Sequence, residues 1–90
     1  MEMKLLIYEF ICGGGLAGQL LPESLQTEGL AMLSSVVEDF SRIHDVDVVT
    51  TLDNRLKNLK LPVETVFLAE DNEEEKLRNL SCEADFTVVI

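Results

Sequence analysis

Basic residues are scarce: seven Lys and Arg stand against seventeen Asp and Glu, a formal net charge of −10 over ninety residues. Such a chain repels phosphate backbones, and nucleic-acid binding would need a basic patch that is not visible here. The bases are scattered, and only Arg55, Lys57 and Lys60 cluster, as a solvated turn would. Histidine occurs once, as His44, with no cysteine near it, which removes the usual zinc spacings. A Ser–His–Asp triad would rest on that one residue beside an expected helix end. The two cysteines, Cys12 and Cys82, form no CxxC pair and read as reduced thiols. No apolar run approaches the ~20 residues that span a bilayer. The opening MEMKLLIYEF carries an acid at Glu2, no basic n-region and no small-residue cleavage site, so a cytoplasmic chain is expected.

What is present is an alternation of two periods. Met3–Ile11 is a compact apolar run stopped by Gly13, Gly14 and Gly15, which reads as a buried strand. Pro22 suits a first helical turn, and Leu25, Met32, Leu33, Val36, Val37, Phe40 and Ile43 then recur at helical spacing, giving a helix from about Pro22 to Ile43. Val46–Thr51 is a second strand, Asp53–Leu59 a connector with at most one helical turn, and Val63–Leu68 a third strand entered through Pro62. Glu70–Ala84, acidic at its front, is a second helix, and Phe86–Ile90 a fourth strand. The alternation predicts an α/β fold: a four-stranded parallel sheet in the order 3-2-1-4, with helices on its faces. An apolar strand at Ile90 with no helix after it suggests the front piece of a longer protein, and an unpaired FTVVI edge suggests a homodimer.

The segment GGGLAG, Gly13–Gly18, fits G-x-G-x-x-G, the spacing associated with dinucleotide phosphates. In that use a helix starts directly after the glycines and an acid follows ~20 residues on. Here Gln19, Leu20, Leu21 and Pro22 intervene, and the acid at the tip of the second strand is Asp53, 35 positions beyond Gly18. Both departures argue against NAD. Three glycines permit a tight left-handed exit from a strand; at the carboxyl end of a central parallel strand they also let a ligand approach the backbone.

Three segments, YEFICGGG, LPESLQTEGLAML and DVVTTLDNR, together resemble the amino-terminal domain of archaeal ATP-grasp ligases, in particular the tyramine–glutamate type of methanofuran biosynthesis. The similarity spans essentially the whole chain. It implies a pre-ATP-grasp domain, a small three-layer unit like half of a Rossmann fold, on the substrate side of an enzyme that joins a carboxylate to an amine. ATP and magnesium would serve the full enzyme through an acyl-phosphate, with their ligands in later domains. The resemblance therefore implies no cofactor, no metal and no catalysis for this chain alone, with the remaining domains and an amino-acid or amine substrate as its partners. The run Glu70–Glu75 reads as a solvated helix start rather than as magnesium ligands.

Seven residues are candidates for the substrate side. Glu9, near the end of the first strand, either orients an amine or is satisfied by loop amides. Gly13, Gly14 and Gly15 line a crevice. Ser24, with Glu23, opens the long helix and either meets a ligand or caps the helix. Arg55 either holds a substrate carboxylate bidentately or pairs with Asp53. Cys12 has no evident base and is not a nucleophile. Gly29, mid-helix, costs roughly 1 kcal/mol relative to alanine and calls for close packing on the sheet in return. The competing class is a stand-alone α/β module that binds a ligand or a partner without catalysis.

Overall fold

The computed structural model describes residues 2–90. Four strands, β1 (Met3–Tyr8), β2 (Val46–Asp53), β3 (Glu64–Leu68) and β4 (Phe86–Val89), form one parallel sheet in the order β3-β2-β1-β4. Helix α1 (Glu23–Ser41) connects β1 to β2, a single 3-10 turn at Asn54–Leu56 begins the β2–β3 connection, and helix α2 (Glu73–Glu83) connects β3 to β4. The predicted fold and strand order are those observed. β1 and β2 are central, and the apolar runs KLLIY and VDVVTTL are what such strands need, because both their faces are covered.

Register decides which residues meet. Leu5 lies level with Val48 and Phe86, and Ile7 with Thr50 and Val88. Paired residues of parallel strands share a face, so Leu5, Ile7, Val48, Leu52 and Val88 form one apolar surface. Leu33 and Val37 of α1 cover it, together with Cys12 and Leu56. Fully burying a leucine or valine of this kind is worth roughly 1.5–3 kcal/mol. β1 to β2 and β3 to β4 run in opposite directions across the sheet, so right-handed crossovers put α1 and α2 on opposite faces. The cluster beneath α1 accordingly contains no residue of α2. On the other face Leu6, Val49, Thr51 and Leu68 are buried.

The boundaries shift for identifiable reasons. β1 stops at Tyr8 rather than Ile11, because the Glu9 carboxylate folds back onto the amides of Ile11 and Cys12 and turns the chain. β2 runs on through Asp53, whose amide donates to the Cys12 carbonyl at 2.6 Å. Pro22 stands just before α1 with φ −61° and no side-chain cap, and Ser24 is an exposed residue of the first turn rather than the expected cap. The helix also ends at Ser41, before Ile43, and a left-handed Asp45 (φ 67°) leads into β2. The buried stripe of α1 is Gly29–Leu33–Val37; Leu25, Met32 and Ile43, though at helical spacing, are exposed. α2 begins at Glu73 because Ala69 and Asn72 first make a turn closed by the Asn72 side chain.

Candidate functional site

The carboxyl edge of the sheet, where open α/β folds take ligands, is occupied first by the chain itself. Glu9 follows β1 directly and is buried at 2% exposure. Its Oε2 accepts from the Ile11 amide at 2.9 Å and its Oε1 from the Cys12 amide at 2.7 Å, while its carbonyl accepts from the Gly13 amide. Gly29 of α1 lies beside this carboxylate: a Cβ there would sit 2.7 Å from Oε1. The compensation for a mid-helix glycine is therefore contact with Glu9 rather than with the sheet. Backbone amides converging at the carboxyl end of a central strand are what an anion requires. In this protein the anion is a side chain, and a phosphate placed there would meet a buried like charge.

The rest of the glycine segment winds through successive turns. The amides of Gly15, Ala17 and Gln19 donate to the carbonyls of Phe10, Gly14 and Leu16, so they too are committed within the loop. The loop is anchored over the sheet: Thr51 Oγ1 donates to the Gly13 carbonyl at 2.7 Å. Gly14, at φ 104°, lies against Leu68, where a Cβ would come within 2.8 Å of the leucine Cβ. Gly13 and Gly14 are buried, so they face the interior of the loop more than an open crevice.

Asp53 and Arg55 hold the far side of the loop. Asp53 Oδ1 accepts from the backbone amide and Nε of Arg55, and Oδ2 accepts from its Nη2 at 2.8 Å. Arg55 Nη1 and Nη2 also donate to the carbonyls of Gln19 and Leu16. The local Asp53–Arg55 pair is thus present, and the guanidinium is directed at protein acceptors. Hydrogen bonding from Arg55 holds the Asp53 carboxyl below the usual carboxylate range in spite of its burial. Cys12, fully buried, donates from Sγ to the Gln26 carbonyl at 3.3 Å, and burial reinforced by Glu9 pushes its thiol up to about 12. A thiol in that state is inert.

Of the expected site residues, the fold brings Glu9, Gly13, Gly14, Gly15, Asp53 and Arg55 to one edge and leaves Ser24 apart, exposed on α1. A cleft of about 380 Å³ opens there, lined by Ala17, Gly18, Gln19, Asn54, Arg55 and Glu70 among others. Its wall is the second half of the loop rather than the glycine triplet. Sequence reasoning missed Glu70 as a member. The available signal was its position two residues after β3, at the same edge as the loop that follows β1.

Fold and site together define a small parallel α/β unit in which the first amides after β1, those of Ile11 and Cys12, are taken up by the Glu9 carboxylate. Comparisons with protein-family models, with curated proteins and with solved structures find no match. Among the described residues no helix is long and apolar enough to cross a membrane.

Proposed function

We propose that this chain is the amino-terminal, substrate-side domain of a cytoplasmic ATP-grasp carboxylate–amine ligase, without catalysis of its own. The observation that supports this most is the Glu9 carboxylate seated in the amides after β1. A domain built on half of a Rossmann plan, with its anion position already filled, suits an enzyme in which ATP and magnesium are held by other domains. In such a ligase the substrate carboxylate attacks the γ-phosphorus and releases ADP. The amine then attacks the acyl carbon, and inorganic phosphate leaves. The contribution of this chain would be to bound the substrate cleft through the Ala17–Gln19 loop, Asn54 and Glu70. Its exposed Phe10, Leu25, Phe86 and Val89 would serve as contacts for the remaining domains or for a second copy.

The alternative, a stand-alone binding or interaction module, draws on the same cleft and the same apolar residues. The two readings separate in one experiment. The polypeptide or complex that carries this chain in its native source is isolated through a tag at Met1 and supplied with ATP, magnesium, an amino acid and an amine. Release of ADP that depends on both co-substrates supports the ligase. Material that binds small molecules at the cleft but turns over no ATP with any carboxylate–amine pair selects the module.

A further inference from the structure

Helix α1 carries more apolar surface than the sheet covers. Its buried stripe is Gly29–Leu33–Val37, but Leu25, Met32 and Val36 recur on a neighbouring face, at i, i+7 and i+11. Met32 is 49% exposed, and Leu25 is open to solvent as well. β4 continues that surface. Phe86 is level with Leu5, so Phe86, Val88 and Ile90 stand on the α1 side of the sheet. α1 itself lies over β1 and β2, and Phe86 is left 60% exposed. Ile90 borders a hollow of about 420 Å³ with Ala31, Met32 and Val36. Phe86 borders another, of about 270 Å³, with Met3. The flank of α1 and the uncovered face of β4 thus form one stepped apolar ledge.

We propose that this ledge seats an amphipathic helix of a partner polypeptide, its apolar stripe flanked by lysine or arginine. The shape selects a helix. A strand added to the edge of β4 would pair with main-chain groups at the level of the sheet and would not reach Met32, whereas helices pack side by side at roughly 8–10 Å, the height of this step. β4 has four residues, a length of roughly 13 Å, which two to three helical turns cover. The sign follows from the rim. Glu28 and Asp39 lie on the same face of α1 as Met32, exposed and without an ion pair among the described residues. Glu2 and Asp85 line the lower hollow. The nearest bases are engaged, Arg42 with Glu38 and Lys4 with Glu83. A second copy of this chain fits the rim badly: it also carries a charge of −10, and a twofold contact would set Glu28 and Asp39 near their own counterparts. The contact rests on this surface alone and not on the ligase reading.

The test is a titration of the 15N-labelled ninety-residue chain, followed by amide resonances, with a capped peptide of about fourteen residues built from leucine at helical spacing and lysine elsewhere. The same peptide with glutamate in place of lysine is run in parallel. The lysine peptide should bind with a dissociation constant on the order of 10–100 micromolar, as a contact below the standard interface size gives. The amides of Leu25, Met32, Val36, Phe86 and Ile90 should shift and saturate together, and the glutamate peptide should leave them in place. Met32→Gln and Phe86→Gln, both at exposed positions, should each weaken binding about tenfold through lost apolar burial. Glu28→Lys with Asp39→Lys should weaken the lysine peptide about fivefold or more and strengthen the glutamate peptide. Glu75→Gln, on α2, should leave binding unchanged, and dispersed spectra verify that each variant is folded. The proposal is overturned if the lysine peptide does not bind, if both peptides bind alike, or if the shifts are confined to Glu73–Glu75. It is overturned equally if sedimentation shows the parent to be a dimer that Met32→Gln dissociates, since the occupant is then a second copy.

Discussion

Gly29→Ala sets two physical effects against each other. Helix propensity alone predicts stabilisation, since alanine in a helix interior is favoured over glycine by about 0.8–1 kcal/mol. The structure predicts the opposite sign. A Cβ at Gly29 would stand 2.7 Å from Glu9 Oε1 and 3.0 Å from its Cδ, so the carboxylate must move. It is buried and held by the amides of Ile11 and Cys12 at 2.9 and 2.7 Å, and displacement weakens both charge-assisted bonds. Losing such a bond, or overpacking a core by one methyl, costs about 2–3 kcal/mol. After the propensity gain is subtracted, a net loss of about 1–2 kcal/mol remains. For a chain of this size that lowers Tm by roughly 5–15 °C. Thermal and urea unfolding of the parent, Gly29→Ala, Glu9→Ala and the double variant form a cycle. In the Glu9→Ala background the clash is gone, and Gly29→Ala should become neutral or stabilising. If Gly29→Ala raises the stability of the parent, or if the two changes are additive, Glu9 is not what reserves this position for glycine.

Three further outcomes follow from the same contacts. Calorimetry with the ninety-residue chain should show no tight binding of NAD or ATP, because the Glu9 carboxylate takes up the amides of Ile11 and Cys12, and those of Gly13, Gly15, Ala17 and Gln19 donate to carbonyls; a micromolar dissociation constant for either would contradict the occupied anion position. The Asp53 carboxyl is lowered in the folded chain by Arg55, so its contribution to stability is complete above the unfolded value near pH 4 and is lost as pH falls through the lower folded value. Urea midpoints of the parent and Asp53→Asn should therefore differ at pH 6 and converge toward pH 2.5; a constant difference would show that the pair does not titrate as described. If β4 mediates self-association, sedimentation at tens of micromolar, a concentration suited to weak contacts, should show a dimer that Val89→Lys dissociates. Val89 is the informative site because it is 70% exposed, whereas Val88 packs on the core. A monomeric parent removes the homodimer.

The fold was legible in the residues because its signals are local. β-branched and apolar runs bounded by glycine and proline read as strands, and the helical spacing between Pro22 and Ile43 reads as α1 whatever it packs on. Their alternation leaves few topologies once crossovers are right-handed, hence the order 3-2-1-4. Helix ends were less legible: Ser24 looks like a cap, but the helix is entered at Pro22, two residues before it. The apolar stripe was read too broadly, since periodicity cannot tell which of Leu25, Leu33, Met32 and Val37 the sheet is wide enough to cover.

The site divides along the same line. That GGGLAG departs from the spacing of a dinucleotide loop was legible in the sequence, because the distance from Gly18 to Pro22 and to Asp53 is a matter of counting. What fills the loop was decided only in three dimensions. Glu9 is adjacent in sequence to the amides it accepts from, yet its second neighbour, Gly29, comes from α1, and nothing local announces that a helix glycine and a strand-end acid will touch. The same holds for Arg55, which reaches carbonyls more than thirty residues away, and for Glu70, brought beside Gly18 by the parallel pairing of β2 with β3. Side-chain type and spacing set the elements, since those energies act over a few residues. Which charges end up paired and which remain free is set by the distances that the packed sheet imposes, and those exist only once the chain has folded.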